Sequence, residues 1–425
     1  MLKLLCMSKN TKQIYVALQM AENDIKVLVG EYFNTRFNII RVEEYETSAI
    51  SDFNIINKEE LVSELKNIFK DVSNKIGGKI EQTILLIPAF NFKRFPLKST
   101  VNIENNVVEK ADIARAIKNS LNSTVSNDVM IVNSIIKKYT VNGVATRRMP
   151  ENEACDELVV DIDLLCADMQ MCYEYVSAVE ESGVKVLDIV LNNLAIAKEA
   201  ALFEESLKKN VIILDVNRTC TYLSLLSKGK LVSTEIIYDG LNSIINNVYR
   251  SYYIPYKDIP RLVKYCVDFE TNDSDYVVYA WSDQGNSKNL TVEMLNEAAI
   301  KPLYTLCEKL YTMCKPIIET GAMIVLTGEG QQMKMLNETL RQMAGCEIKE
   351  YYPETIGVRN PALTVIYGSF IVYREKALLN DQDVTCIDLL QYESMIEQKE
   401  IDSEGETITT KIKNLFKQYI DKGGM

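Results

Sequence analysis

The residue types available for chemistry in this sequence are carboxylates, lysines and the backbone amides of glycine-containing turns. Its 425 residues include no histidine, which excludes Ser-His and Cys-His nucleophilic catalysis, histidine metal sites and histidine acid–base chemistry. Asp215 directly follows a run of apolar residues, and Gly328 and Gly330 flank Glu329 after another such run. We therefore expect any reaction to depend on carboxylates, lysines, backbone amides and a bound metal or nucleotide, and we assign no catalytic residue.

The C-terminal residues suggest a different chemistry, that of a lipid surface. From Ile408 the apolar residues recur at spacings of four, three, one and three, which places them on one face of a helix. Lysines beside or opposite that face could meet anionic headgroups while Phe and Leu side chains enter the acyl boundary. The alternative is a helix that packs back on the body. The predicted membrane-binding residues are Ile408, Lys411, Ile412, Lys413, Leu415, Phe416, Lys417 and Tyr419.

The composition is that of a globular protein, and it limits the classes of partner. Hydrophobic residues make up 47% and charged residues 25% of the chain, and the formal net charge is −12. This charge, with no stripe of Lys and Arg in the body, argues against a nucleic-acid partner. A helix that spans a bilayer needs about 18 consecutive apolar residues, and every apolar run in this sequence is much shorter. The ten cysteines form no C-x-x-C pair. We expect a protein of the reducing cytoplasm that contacts a membrane peripherally.

The elements that must position these residues begin with a β-meander. Partly alternating apolar and polar residues predict strands at 14–18, 25–32 and 37–44, and an amphipathic helix follows over 58–76. Further strands and helices over 81–183 are interpreted as an inserted α+β unit. The chain then returns to the pattern with which it began.

The second half repeats the order of strands followed by helices. A strand at 211–214 leads into a hairpin over 222–238 and then into helices at 241–251 and 257–267. A polar stretch at 270–289 separates these two helices from the next one. A long helix over 292–320 precedes the strand before Gly328. This repetition predicts an α/β fold built from two copies of one subdomain.

The C-terminal part of the chain changes character after this repeated unit. Residues 380–406 carry nine acidic residues and one lysine, a composition typical of a solvated, self-repelling linker. We expect this linker to join the folded body to the amphipathic helix.

The order of these elements resembles the actin-like ATPase superfamily, and within it the FtsA family of bacterial cell-division proteins. Segment 16–31 is similar to the first phosphate loop of that superfamily, 214–217 to the second and 324–330 to the adenosine loop. The resemblance implies an actin-like (ribonuclease H-like) fold with duplicated subdomains and an inserted domain. The implied division is core subdomains at 10–80, 184–250 and 317–378, the inserted domain at 81–183, a distal subdomain at 251–316, the acidic linker at 379–407 and the amphipathic helix at 408–425.

The resemblance also implies a nucleotide site between the two phosphate loops, with Asp215 holding Mg²⁺ through water. Gln19, Ala21 and Glu22 stand where the family has an acidic residue, glycine and Ser/Thr, and residues 216–219 replace a Gly-Gly-Gly-Thr run. Side chains there would block the amides that bind phosphate. We expect ATP hydrolysis to be weak or absent and the site to be vestigial, with Mg-ATP binding as the alternative. The implied nucleotide-binding residues are Asp215, Asn217, Thr219, Gly240, Lys264, Gly328, Gly330 and Met333.

The partners implied by the resemblance are lipid, further copies of the chain and a filament protein. FtsA-type proteins form actin-like filaments on the cytoplasmic face of the membrane at the division site, and their distal subdomain binds the C-terminal peptide of the tubulin homologue FtsZ. Arg250, Tyr253, Lys257 and Arg261 are predicted to bind that acidic peptide, with a solvated helix face as the alternative. A PilM-like component of a type IV pilus or secretion platform, whose family has a similar insertion, is the competing function.

Overall fold

The computed structural model describes residues 12–270, 275–283, 285–380 and 382–393. Its strands are β1 (Gln13–Ala21), β2 (Asp24–Phe33), β3 (Arg36–Glu46), β4 (Ile50–Ser51), β5 (Asn54–Ile55), β6 (Gln82–Ile87), β7 (Lys93–Asn102), β8 (Val129–Val141), β9 (Val144–Thr146), β10 (Glu157–Asp168), β11 (Lys185–Leu191), β12 (Val211–Val216), β13 (Thr221–Ser227), β14 (Lys230–Ile237), β15 (Val277–Asp283), β16 (Asn286–Thr291), β17 (Met323–Thr327) and β18 (Ile348–Glu350). Its α-helices are α1 (Lys58–Ile76), α2 (Lys110–Leu121), α3 (Met169–Glu181), α4 (Asn192–Glu199), α5 (Leu202–Glu205), α6 (Asn242–Tyr252), α7 (Ile259–Cys266), α8 (Val292–Ile318), α9 (Lys334–Ala344) and α10 (Thr364–Asn380).

Two sheets of the same topology form the body of the protein. The first has the strand order β11-β6-β1-β2-β3 and the second has the order β18-β17-β12-β13-β14. In each sheet the first strand of a meander pairs antiparallel with the next strand and parallel with a later one. The predicted duplication of one α/β subdomain is therefore confirmed by strand order and direction.

The predicted meander and the helix that follows it are present, and local sequence explains the ends of the helix. Asn57 caps α1 by accepting a hydrogen bond from the backbone N–H of Glu60, and Gly77 ends the helix in the left-handed conformation. The stripe predicted to be apolar faces the core of the first sheet, where Leu61, Leu65 and Val72 are fully buried. Burial of such side chains stabilises the fold by about 1.5–3 kcal/mol each.

The inserted unit is shorter than the sequence pattern suggested. Its sheet has the order β7-β10-β8-β9 and, with α2, it encloses a separate core around Ile113, Leu158 and Ile162. However, β6 pairs with β1 in the first sheet, and α3 packs against α1. The prediction placed both elements in the insertion at 81–183, whereas the separate unit spans 93–168.

Two segments that the composition assigned to irregular structure are ordered. The polar stretch predicted at 270–289 contains the hairpin of β15 and β16. The first part of the predicted linker also packs on the body. The backbone N–H of Cys386 donates to the carbonyl of Ile14 at 2.7 Å, Ile387 bridges to Ile80, and Tyr392 is buried. Apolar side chains among the acidic ones explain this packing, so a solvated linker cannot begin at 379.

Candidate functional site

The turns of two equivalent hairpins face each other across a cleft between the two halves of the body. The first turn joins β1 to β2 at Glu22 and Asn23, and the second joins β12 to β13 through residues 217–220. Between them lies a cavity of about 40 Å³. The side chains that line it are Gln19, Ala21, Glu22, Asn23, Asp24, Lys26, Glu46, Asn217, Arg218, Tyr222, Glu329, Ala362 and Val365.

The carboxylate of Glu22 reaches across this cleft to the second turn. One oxygen accepts the backbone N–H of Thr219 at 2.9 Å, and the other accepts the Cys220 thiol at 3.3 Å. Burial raises the pKa of Glu22, although the bonds from Thr219 and Cys220 oppose that shift. The first turn therefore supplies a negative group to the amide of the second.

Asp215 is the penultimate residue of β12, the central strand of the second sheet, which extends one residue beyond it, and it is only 1% exposed. Its Oδ2 has no hydrogen-bond partner among the described residues. Burial raises the pKa of Asp215 to about 7, against the attraction of Lys26. The described part of the chain contains no group of three His, Cys, Asp or Glu side chains arranged to hold a metal ion.

Glu329 is the third buried carboxylate of the cleft, and cations surround it. Arg218 lies 3.2 Å and Lys264 lies 3.5 Å from its oxygens. Burial acts to raise the pKa of Glu329, but the attraction of Arg218, Lys264 and Lys26 lowers it overall. Lys264, one of the implied nucleotide-binding residues, and Arg218 of the second turn are thus engaged by a carboxylate of the protein itself.

The glycines of the cleft bring backbone segments together. A Cβ on Gly330 would lie 2.5 Å from Val216 Cγ1, and one on Gly328 would lie 2.5 Å from Asp215 Oδ1. A Cβ on Gly240 would lie 2.3 Å from the carbonyl oxygen of Asn217. Because glycine has no Cβ, the loop after β17 can approach the end of β12, and the segment before α6 can approach the second turn.

The inner cleft in this arrangement does not fit the phosphates of a nucleotide. Ligand pockets usually enclose about 300–1,000 Å³, whereas the inner cavity has about 40 Å³. The Thr219 amide already binds Glu22, and a single buried Asp215 provides no set of metal ligands. The resemblance implies that Met333 contacts the nucleotide. In the structure Met333 is fully buried in the core of the second half, so its side chain is not exposed to the cleft.

A larger cavity of about 440 Å³ lies immediately outside the inner one and shares Asn23, Glu46 and Arg218 with it. Its remaining wall comes from α6, α7 and the turn between them. Lys257 and Arg261 are exposed there, whereas Lys264 also bonds Gln332 at 3.2 Å. The other lining residues are Asn242, Tyr256, Pro260 and Tyr265.

The predicted partner-binding residues belong to one exposed surface, which we call the tyrosine-basic surface. Tyr253 is 72% exposed, and the ring of Tyr249 contacts those of Tyr253 and Tyr256 at centroid distances of 5.9 and 5.6 Å. Sequence reasoning missed Tyr249, which lies in the last turn of α6, four residues before Tyr253, the residue that caps this helix. The surface comprises Tyr249, Arg250, Tyr253, Tyr256, Lys257 and Arg261.

The predicted membrane-binding residues at 408–419 lie outside the described residues. Within the described ranges, no helix combines the length and the apolar composition needed to cross a membrane.

Duplicated sheets, an inserted domain and paired hairpin turns across a cleft define an actin-like protein. A PilM–PilN type IV pilus biogenesis complex structure has this fold, with a TM-score of 0.54, 12% identity and coverage of 84% of this chain and 98% of that one. No protein-family model matches the chain.

Among proteins of this class, the chain is similar in sequence to cell division protein FtsA. It is 20% identical to the Enterococcus hirae protein over 440 aligned residues, which cover 96% of this chain and 99% of that one. It is 24% identical to the Bacillus subtilis protein over 241 residues, or 56% of this chain, and there it spans about half of that relative, 54%. The similarity and the fold support an actin-like protein of the cell-division type.

Proposed function

We propose that this chain assembles on the cytoplasmic face of the membrane at the division site and holds FtsZ filaments there. The observation that carries the proposal is the similarity to FtsA along 96% of this chain and 99% of the E. hirae protein. The actin-like body provides the repeated unit of a head-to-tail filament, and the tail provides the lipid contact. Each tail adds about 1 kcal/mol per lysine near an anionic surface, so assembly would strengthen weak binding through avidity.

The same proposal includes a cleft that works with little or no ATP hydrolysis. Supporting it are the Glu22 carboxylate on the Thr219 amide and the neutralisation of Arg218 by Glu329. A bound phosphate would have to displace the first group and compete with the second. A PilM-like role in a pilus or secretion platform has the fold likeness alone in its favour, whereas the C-terminal tail favours the FtsA-like role.

Localisation in dividing cells tests the role directly. A fluorescent fusion of the full chain should collect at midcell, and the same fusion ending at Glu406 should lose that position. Phe416→Glu should behave like the truncation because it places charge on the apolar face of the helix predicted from the sequence, whereas Asn414→Ala alters the opposite face of that predicted helix and should have no effect. A full-length fusion that collects at envelope foci unrelated to division would contradict the proposal and favour the PilM-like role.

The tyrosine-basic surface is the proposed dock for the acidic FtsZ peptide. Exposed tyrosine rings provide contact area at low entropic cost, and the neighbouring cations complement acidic side chains. Arg250, Lys257 and Arg261 are all exposed, so they can meet a partner without breaking the core. Tyr249 joins the rings of Tyr253 and Tyr256 into one patch.

Fluorescence anisotropy with a labelled FtsZ C-terminal peptide tests this dock in the purified protein. The double variant Lys257→Glu, Arg261→Glu should weaken binding by about tenfold or more, and salt should weaken the wild-type complex. Lys208→Glu is the matched control, because Lys208 is exposed at the far end of β12. Equal affinities for the wild type and the double variant would place the peptide elsewhere.

A further inference from the structure

The turn between β1 and β2 has an unusual backbone conformation. Glu22 adopts a φ of 54°, in the left-handed region that non-glycine residues seldom occupy. Its side chain is nevertheless 7% exposed, and it crosses to the opposite hairpin. The strain and the burial are both unfavourable by themselves. The contacts that the carboxylate makes must offset them.

Those contacts are of the kind that a bound oxyanion makes. Backbone N–H groups at tight turns are common donors to phosphate and sulfate, since they are fixed and carry no side chain in the way. The donor here is the amide of Thr219 at 2.9 Å, and the Cys220 thiol adds a second bond at 3.3 Å. Burial raises the pKa of that thiol, so it remains a proton donor.

The contact joins the two halves of the body. Glu22 belongs to the first sheet, whereas Thr219 and Cys220 belong to the turn of the second. Lys26 of the first sheet is also attracted by Glu329 of the second half. The protein therefore spans its own cleft with charged groups, in the region where the inner cavity measures about 40 Å³.

We propose that Glu22 is a built-in substitute for a bound oxyanion, which occupies the amide of the second hairpin turn and holds the two hairpins together without any ligand. Removal of this carboxylate should leave an anion site that small oxyanions such as inorganic phosphate can enter. The proposal concerns the cleft alone and does not depend on FtsZ, lipid or position in the cell.

Hydrogen–deuterium exchange of the full chain tests the proposal on peptides that cover residues 217–221. Glu22→Ala should speed their exchange by about tenfold or more, because a charge-assisted hydrogen bond is lost. Glu22→Gln should have a smaller effect, since a neutral oxygen is a weaker acceptor. Glu46→Gln is the matched control, because Glu46 lines the same cavity and is exposed. It should leave the exchange unchanged.

Rescue by an added anion distinguishes an oxyanion site from an ordinary structural contact. Millimolar inorganic phosphate should restore protection in Glu22→Ala and change nothing in the wild type, while chloride at equal ionic strength should fail. Exchange that stays at the wild-type rate in both Glu22 variants would overturn the proposal, and so would accelerated exchange that phosphate does not slow. If Glu22→Ala does not fold, the same two measurements are made on Glu22→Gln. Exchange at the wild-type rate in Glu22→Gln, or accelerated exchange that phosphate does not slow, would then overturn the proposal.

Discussion

Three carboxylates are buried in the cleft, and their neighbours leave them in different states. Glu329 faces Arg218 and Lys264, so its pKa is lowered. Glu22 accepts an amide and a thiol and forms no ion pair within the described part of the chain, and burial raises its pKa. Asp215 has an oxygen without a partner among the described residues, and its pKa rises to about 7. Of the three carboxylates, Asp215 therefore has the fewest interactions that stabilise its negative charge.

Asp215 should make the stability of the protein depend on pH. The pKa of Asp215 rises from 3.8 to about 7 on folding, so the folded state binds its proton more tightly than the unfolded state does. The stabilisation is complete below the lower value and is lost as pH rises through the higher one. We expect Asp215→Asn to raise the Tm at about pH 8 relative to the wild type and to flatten the fall in Tm from about pH 5. Thermal unfolding across this range measures both effects.

Glu199 provides a comparison for this prediction. Burial raises the pKa of Glu199 to about 7 as well, while its hydrogen bond from Tyr351 opposes the shift. Glu199→Gln should therefore also flatten the fall in Tm over this range of pH. The effects of the two substitutions on Tm should add, because the two residues share no partner among the described residues. An unchanged pH profile in Asp215→Asn would mean that Asp215 is ionised in the folded protein.

At the scale of elements, local pattern predicted most strands and helices but not which elements belong together. Continuous apolar residues predict the strand at 211–214, which is present as the main part of β12. Glu22 and residues 217–219 lie in the two turns that face each other across the cleft. The parallel pairing of β6 with β1 joins residues far apart in sequence, so the same apolar run was assigned to the insertion. The bond from Thr219 to Glu22 is also a pairing of distant residues, which no local spacing reveals.

Average composition misled the prediction where short apolar runs lie within polar stretches. β15 begins with the hydrophobic run 277–281, but the polar residues on both sides of it led to the interpretation of 270–289 as one polar stretch. Residues 382–393 were assigned to a linker from their acidic charge. Cys386, Ile387 and Tyr392 nevertheless bury their side chains against the first sheet. A few apolar residues at the right positions were enough to order an acidic segment.

The ordered part of that segment should contribute measurably to stability. A chain ending at Glu393 should keep the Tm of the full chain, whereas a chain ending at Asn380 should unfold several degrees lower. The shorter chain loses the burial of Cys386 and Ile387 and the ion pair between Arg374 and Asp383 at 2.7 Å. Each buried apolar side chain is worth about 1.5–3 kcal/mol. Equal Tm values for the two truncated chains, measured by calorimetry, would contradict this account of the segment.

The loop after β17 should be sensitive to a single methyl group. Gly330→Ala places a Cβ 2.5 Å from Val216 Cγ1, and such overpacking costs about 1–3 kcal/mol. Val216→Ala removes the Cγ1 methyl group, which would lie 2.5 Å from the added Cβ, but keeps the Cβ of residue 216 at 2.7 Å. The double variant should therefore recover only part of the stability that Gly330→Ala loses, and still be more stable than the sum of the single effects implies. Chemical denaturation of the two single variants and the double variant measures this coupling. Additive effects would show that the loop moves away from β12 without strain.

At the scale of the whole molecule, two equivalent halves meet at a cleft that is closed by side chains of the protein. In a cleft that needs a ligand to close, the ligand also controls the relative position of the halves. Here Glu22 and Lys26 of the first half directly face Thr219 and Glu329 of the second. A filament built from such a subunit would have a subunit shape that does not depend on ligand binding. Binding to the membrane, and not binding of a ligand, would then govern its assembly.

Assembly on anionic vesicles should therefore require the C-terminal tail and be indifferent to nucleotide. We expect the full chain to sediment with vesicles containing anionic lipid, and to form filaments on them, equally well with and without Mg-ATP, because no phosphate is needed to close the cleft. The chain ending at Glu406 should do neither, since about four lysines and the apolar face are lost. Phosphate release should stay at the background rate in every sample. Filaments that appear only with Mg-ATP, or equal sedimentation of the full and shortened chains, would refute the corresponding half of this prediction.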